Sequence, residues 1–475
     1  MFVIGTGPAG QRAAVQAAKL GKRVAICDRR EVVGGTCINT GTIPSKTFRE
    51  AALSFSGLHL RNFYGAGFVA KENLSMADLV LRCRKVMTTE IEVVRHQLRR
   101  NRIEVFEGEA SFLDPHRVVV KGPAGTAAIA ADFMVIANGT EPARPEQMCF
   151  DGKTIFTSED ILTMPELPKT MTIIGAGVIG IEYASIFAAL GVKVTVIDAQ
   201  RRILDFLDEE VVSALIYQMR AMGAIFRLGE EVAAVDMLGE GGAVAQLRSG
   251  KTVSSDVLLC SVGRQGATGS LQLEAAGLRA DARGRVAVNG HYQTAAPHIY
   301  AAGDVVGFPS LASTSMEQGR IAACHAFGAP YRTMRHLFPY GIYAIPEISL
   351  VGRTEAELTA QGINYEVGVA RYREIARGNI LGDDSGFLKL LFHRETRRIL
   401  GVHIMGTGAA ELIHIGQTTM AFEGTLDYFV ENVFNYPTFA ECYKVAALDG
   451  FNKVGPLPSD GLPIEMPSLP AKARC

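Results

Sequence analysis

The residues with chemical promise begin at Gly34. From there to Lys46 the chain reads Gly-Gly-Thr-Cys-Ile-Asn-Thr-Gly-Thr-Ile-Pro-Ser-Lys, one residue short of a redox-active cysteine pair: Cys37 is present and the partner position holds Thr42. A dithiol/disulfide couple needs two sulfurs that reach bonding distance and exchange through a thiolate, and a threonine hydroxyl does neither. Cys37 is left with two fates, a packing thiol or a lone nucleophile able to form a sulfenic acid.

Two glycine fingerprints carry a second chemistry. Gly5, Gly7 and Gly10 follow Phe2-Val3-Ile4 directly, and Gly175, Gly177 and Gly180 follow an apolar run that starts at Met171. In such a motif the first glycine makes the turn, the second lets backbone approach a pyrophosphate, and the third lets helix and strand pack closely. Asp28 and Asp198 each stand 23 positions after the first glycine, where a carboxylate accepts ribose hydroxyls. Two glycine-rich turns without a ligand are the alternative. Two dinucleotide sites imply two dinucleotides, and an enzyme that holds FAD and a nicotinamide cofactor passes hydride between them. With Cys37 unpaired, electrons in such an enzyme stop at the flavin.

These groups need elements to position them. A strand before Gly5, a helical pattern over 13–20 and a strand over 23–27 ending at Asp28 make a βαβ unit. A strand of ordinary length needs several residues before Phe2, so a truncated or misassigned start and a weakened first strand are expected. Leu79, Val86, Ile91, Val94 and Leu98 recur near helical spacing and predict a long amphipathic helix over 77–100, with the basic run 95–102 as a solvated face. Strands are expected at 118–120 and 133–137, a domain crossing over the Pro-rich stretch 142–168, and a new domain near Ile155. Residues 171–197 repeat the opening pattern. A strand over 293–304 approaches Gly303-Asp304, residues 338–448 mix strands with helices, and the last twenty residues, with five prolines, are expected to be a disordered tail.

At 475 residues the chain is too long for one core and fits roughly three domains of about 150 residues. A net charge of −1 leaves no basic field for nucleic acid or an anionic membrane. The weakly polar run 171–190 is interrupted by Glu182 and contains a fingerprint, so no membrane span is predicted. No basic region followed by an apolar stretch opens the chain, which points to a cytoplasmic protein. Eight cysteines without Cys-x-x-Cys spacing indicate neither a disulfide framework nor a metal site.

The ordered set of motifs resembles the flavoprotein disulfide reductase family of glutathione reductase and dihydrolipoyl dehydrogenase over nearly the whole chain. It comprises both fingerprints, the Gly-Gly-Thr-Cys loop, Thr-x-x-x-x-Ile-Tyr-Ala-x-Gly-Asp at 294–304 and Tyr-Pro-Thr-x-x-Glu at 436–441. The resemblance implies an α/β fold of two Rossmann-type dinucleotide-binding domains plus a C-terminal α+β dimerisation domain. Its division would be 1–145 and 265–334 for FAD, 146–264 for NAD or NADP, 335–455 for dimerisation and 456–475 as the tail. A homodimer follows, and possible higher homo-oligomers, with nicotinamide dinucleotides as substrates.

By the same resemblance Asp28 holds the adenosine ribose with Arg29 beside it, and Gly34, Gly35, Thr36 and Cys37 line the flavin phosphates and ring. Asp304 meets the ribitol, and Gly139, Gly263, Gly303 and Ala312 complete the cofactor set. Lys46 and Glu182 match a pair beside the flavin N5, where fixed positive charge stabilises electron density gained on reduction; a surface lysine and a helical glutamate are the alternative. Asn138-Gly139 stands where the family has Thr-Gly. Two departures matter more. Thr42 replaces the cysteine that touches the flavin, and Tyr436 replaces the catalytic histidine of a His-Pro-Thr motif. A histidine that titrates near neutrality can activate a thiol, whereas a tyrosine of pKa about 10 does not.

The combined pattern resembles the branch of that family that exchanges hydride between NADPH/NADP+ and NADH/NAD+, in Asn-Thr-Gly-Thr-Ile-Pro-Ser-Lys-Thr, Gly-Val-Ile-Gly-Ile-Glu-Tyr-Ala-Ser-Ile-Phe and Phe-Asn-Tyr-Pro-Thr-Phe-Ala-Glu. The reaction implied is ping-pong through one site, with Lys46, Glu182, Tyr436 and Glu441 as its catalytic set and the last two near the partner's flavin. Asp198 favours a free 2′-hydroxyl, while Arg201 and Arg202 either neutralise a 2′-phosphate or are merely solvated. Two other readings stay open: a peroxidase, oxidase or diaphorase built on Cys37, and a flavin-binding protein without turnover that works through its dimer surface.

Overall fold

A computed structural model describes residues 1–65, 67–68, 70–238, 241–334 and 337–455; the expected tail 456–475 lies outside them. Its first strand, Phe2–Ile4, is the centre of a parallel sheet whose order is Ile299–Ala301, Met134–Ile136, Phe2–Ile4, Ala25–Asp28 and Glu104–Glu107. Val3 faces an alanine-rich layer with Ala13, Ala17 and Ala322, and Phe2 and Ile4 face Phe112 and Val118 on the other side. This alternation, with both edges paired, is how a strand of only three residues holds the centre of the sheet: burial on both faces gains from packing what it lacks in length.

The helix Pro8–Lys19 starts before the predicted 13 because Gly7 caps it and Pro8 takes the first helical position, where its fixed φ is pre-organised and its missing N–H costs nothing. It packs against Ala312–Ala326 so closely that a Cβ on Gly319 would lie 2.0 Å from the Ala9 carbonyl oxygen. The long helix runs Met76–Arg100, opened by a Ser75/Asp78 capping box and burying Leu79, Cys83, Val94 and Leu98. The arginines of its basic end are exposed. The strand expected over 293–304 is shorter than its pattern. Only Ile299–Ala301 joins the sheet, since the Thr294 hydroxyl bonds the Ile299 carbonyl and folds the preceding residues back on Tyr300.

A second parallel sheet has the order Ile225–Leu228, Lys193–Asp198, Thr170–Ile174, Val257–Cys260 and Ile155–Thr157, with the helix Val178–Ala189 rising from its fingerprint turn. The chain leaves the first unit through Thr140–Pro142 and returns through Arg264–Gly266, and these two segments pair antiparallel. The C-terminal part is a five-stranded antiparallel sheet, Tyr340–Ile342, Ile348–Gly352, Ile399–Met405, Phe387–His393 and Tyr365–Arg371, covered by Ala409–Ala421 and Glu441–Val454. Among the described residues no helix is long and apolar enough to cross a membrane.

Candidate active site

One cavity of about 1080 Å³ runs between these units. It exceeds the several hundred Å³ of most small-ligand sites and is roomy enough for an extended dinucleotide. Of the expected residues, Gly5, Gly7, Asp28, Arg29, Gly35, Thr36, Cys37, Lys46, Gly139, Glu182, Gly303, Asp304 and Ala312 line it. Gly10 and Gly34 lie behind this wall, and Gly175, Gly177, Gly180, Asp198, Arg201 and Gly263 lie outside it.

The glycines of the first fingerprint divide their work as the motif requires. Gly5 turns the chain at φ +105°, a Cβ on Gly10 would sit 1.9 Å from the Gly5 carbonyl oxygen, and a Cβ on Gly7 would meet nothing within 4 Å. The middle glycine thus presents bare backbone to open space at a helix N-terminus, a place suited to a phosphate. The second fingerprint repeats this: Gly175 at φ +100°, Gly180 held 1.9 Å from the Gly175 oxygen, Gly177 open. Asp28 accepts the Thr6 amide at 2.9 Å as well as the Thr6 hydroxyl, and Asp198 accepts the amides of Ala176 at 2.6 Å and Gln200 at 2.7 Å. Each carboxylate is fixed beside its glycine turn.

The cavity asks for a polar ligand. Among the described residues, five of the eight buried side-chain polar atoms without a partner belong to its lining: Arg30, Thr40, Asn138, Tyr183 and Tyr340. Buried polar groups are nearly always satisfied, so such a concentration fits a molecule rich in phosphate, hydroxyl and amide groups. FAD has that donor and acceptor set. Burial pushes the Asp304 carboxyl above its ordinary range, partly offset by Arg264.

Lys46 and Glu182 meet from opposite units, Nζ to Oε2 at 2.6 Å, with Glu182 almost fully buried. The other Glu182 oxygen accepts the Tyr343 amide at 2.9 Å, and the Tyr343 ring lies 5.1 Å from Nζ. Ser185 accepts the Ile345 amide at 2.9 Å, and Arg49, one turn on from Lys46, donates to the Ala344 carbonyl at 2.9 Å. All three units therefore converge on the lysine. A cation held this way costs little to orient when charge develops beside it.

Cys37 lies in the short helix Gly35–Asn39, within hydrogen-bonding reach of the Thr42 hydroxyl at the start of Thr42–Ser56. Threonine physically occupies the place beside the thiol. Burial pushes the Cys37 thiol up, with Thr42 only partly opposing it, so the group is poorly ionised and poorly nucleophilic. Tyr436 is 68% exposed, and neither it nor Glu441 reaches the cavity of its own chain. One Glu441 oxygen is buried without a partner.

Several groups at the cavity wall and just behind it escaped the sequence. Glu159 receives Arg30 at 2.9 Å and Arg264 at 2.8 Å, and Arg264 also donates to the Thr140 hydroxyl at 2.8 Å. These partners are more than a hundred residues apart, and no local pattern marks them. Arg202, left open between a phosphate partner and a solvated group, pairs with Glu209 at 2.7 Å on the surface; Arg201 lies exposed beside Gly229.

Comparison with known proteins agrees with this architecture. Residues 1–319 match the family described as pyridine nucleotide-disulphide oxidoreductase, and 338–447 match its dimerisation domain. The chain is 52% identical to the soluble pyridine nucleotide transhydrogenase of Mycobacterium bovis (strain BCG / Pasteur 1173P2), over 96% of this chain and 97% of that one. It is 44% identical to the protein of the same name from Hahella chejuensis, over 96% and 98%. Among solved structures it resembles LpdA from Mycobacterium tuberculosis, with a TM-score of 0.86, 27% identity and coverage of 94% and 98%. It also resembles the HOCl-induced flavoprotein disulfide reductase RclA from Escherichia coli, with a TM-score of 0.85, 28% identity and coverage of 94% and 99%.

Proposed function

The chain belongs to the pyridine nucleotide-disulphide oxidoreductase family and is an oxidoreductase; from that premise we propose that it exchanges hydride between NADPH/NADP+ and NADH/NAD+ at an FAD site, without a redox disulfide. The observation that carries the reading is Thr42 seated beside Cys37 while the Lys46–Glu182 pair is intact. The relatives named soluble pyridine nucleotide transhydrogenase support it.

On this reading the chain divides at 146, 265 and 335. Gly5, Gly7, Gly10 and Asp28 hold the adenosine diphosphate part of FAD, with Arg29 and the loop Gly34–Cys37 along it, and Gly139, Gly303, Asp304 and Ala312 hold the remainder. FAD, when bound, supplies the two-electron acceptor and donor that no side chain here provides. Lys46 contributes fixed positive charge, and Glu182 with the Tyr343 amide keeps it oriented. Gly175, Gly177 and Gly180 receive the nicotinamide dinucleotide with Gly263 nearby, Asp198 takes a free 2′-hydroxyl, and Arg201, unlike Arg202, is available to a 2′-phosphate. The match to a dimerisation domain supports a homodimer in which Tyr436 and Glu441 face the partner's cavity. Relatives named soluble support a cytoplasmic place for the reaction.

The test is anaerobic. NADPH is expected to bleach the flavin absorbance of the purified protein, and NAD+ to restore it. Bleaching that NAD+ cannot reverse overturns the proposal. Recovery only by peroxide, dependent on Cys37, favours the lone-thiol reading instead.

A further inference from the structure

Three aromatic side chains from three parts of the chain meet at the cavity mouth. Phe206 lies in the loop after the strand that ends at Asp198, Phe308 follows the Gly303-Asp304 turn, and Tyr340 opens the strand Tyr340–Ile342; all three line the cavity. The Tyr340 ring is near-parallel to Phe308, with centroids 6.2 Å and planes 23° apart, and tilted 51° to Phe206 at 5.8 Å. Phe308 is 79% exposed and Phe206 43%, a cost in apolar surface that nothing among the described residues offsets. The Tyr340 hydroxyl is buried without a partner, which is costly unless a bound molecule supplies one.

Position strengthens the case. Tyr340 precedes by three residues Tyr343, whose amide holds Glu182, and Tyr340, Lys46 and Glu182 line the same cavity. Phe206 is anchored as well: two residues on, buried Asp208 takes the ammonium of buried Lys389 at 2.9 Å. Tyr340 thus joins the other two rings through its own contacts with each.

We propose that Phe206, Phe308 and Tyr340 form a clamp for the nicotinamide ring of the dinucleotide substrate, with a preference for its oxidised form. The inference rests on the hydride-exchange reading above. Oxidised nicotinamide is a planar cation and the reduced ring is neutral; an aromatic face attracts a cation through its quadrupole and has no such hold on a neutral ring. The Tyr340 hydroxyl bonds a polar atom of the same nucleotide.

Calorimetric titration of the holoenzyme tests this with NAD+ and with a tetrahydropyridine analogue of NADH, uncharged in its ring and unable to donate hydride. Phe308→Ala is expected to weaken NAD+ binding about five- to tenfold and the analogue by about twofold or less, and Phe308→Tyr to restore NAD+ binding. Tyr340→Phe is expected to weaken both by about threefold, the loss of one hydrogen bond. Flavin content serves as the folding control. NAD+ binding unchanged in Phe308→Ala overturns the clamp, as does equal weakening of both ligands, which would put the neutral adenine on the rim. Wild-type protein that binds neither ligand overturns the clamp and the hydride-exchange reading together, whereas unaffected variants of a protein that bleaches and recovers overturn the clamp alone.

Discussion

A single substitution separates two chemistries at Thr42. It stands at the position that the family resemblance gives to a second sulfur, and burial pushes the Cys37 thiol up, with Thr42 only partly opposing it. Thr42→Cys is therefore expected to place a bondable pair there, read as two thiols lost on oxidation and regained with reductant. Disulfide reductase turnover should still be absent, because the base position is Tyr436; efficient turnover of a small disulfide would refute the argument that both departures act together. Lys46→Met tests the other half of the site. It removes the cation 2.6 Å from a buried carboxylate, and the rate of flavin bleaching by NADPH is expected to fall about 100-fold, the size of losing one preorganised electrostatic group. A fall of less than about threefold would leave Lys46 with no electrostatic part in the reaction. Lys46 and Glu182 were legible in the sequence because each sits in a motif. The Tyr343 amide that completes them was not, since a backbone donor 161 residues from its acceptor leaves no trace in side-chain type.

Elements fix what each glycine can tolerate. Gly7→Ala adds a methyl into open space and Gly10→Ala drives one against the Gly5 oxygen. The first variant is expected to melt, as flavin-free protein, at the wild-type temperature yet purify with less flavin, read from the ratio of flavin to protein absorbance. The second is expected to lose several kcal/mol and express poorly, as close-packed helix and strand are forced apart. Equal behaviour of the two would contradict the division of roles. The strand-turn-helix order and the long helix were readable because glycine spacing and apolar periodicity are local. Their ends were not: Pro8 begins its helix through a cap rather than through periodicity, and the Thr294 hydroxyl cuts short a strand that composition extends to 293.

At the scale of the molecule, a buried ionic latch joins the nucleotide-binding unit to the C-terminal sheet. Lys389 on Phe387–His393 is fully buried and meets Asp208 at 2.9 Å, Glu210 at 3.0 Å and Glu355. No motif predicts it, because its members come from separate elements and only the assembled fold gives them a common environment. Lys389→Met leaves Asp208 buried without its cation and is expected to cost about 3–5 kcal/mol, measured by chemical denaturation; a cost below about 1 kcal/mol would mean that the latch is not holding the units. His403 lies against the same cluster. Its Nε2 bonds the Arg353 carbonyl at 2.9 Å and its Nδ1 is buried and unpartnered. Burial lowers its pKa, opposed by Asp208 and Glu355 and reinforced by Lys389. A histidine depressed in the native state binds a proton more readily when unfolded, so below its ordinary pKa of about 6.5 the unfolded chain gains protons that the native chain refuses. The contribution of His403 to stability should then fall as pH drops from about 7 toward 5. His325, lowered by burial and by His291, adds to the same fall, whereas Asp208, held below its usual range mainly through Lys389, loses its contribution only at lower pH. His403→Gln keeps a donor for Arg353 and cannot titrate, so its melting temperature should decline less steeply across that window, leaving the His325 part. A decline as steep as in the wild type would remove His403 as a source of the pH dependence.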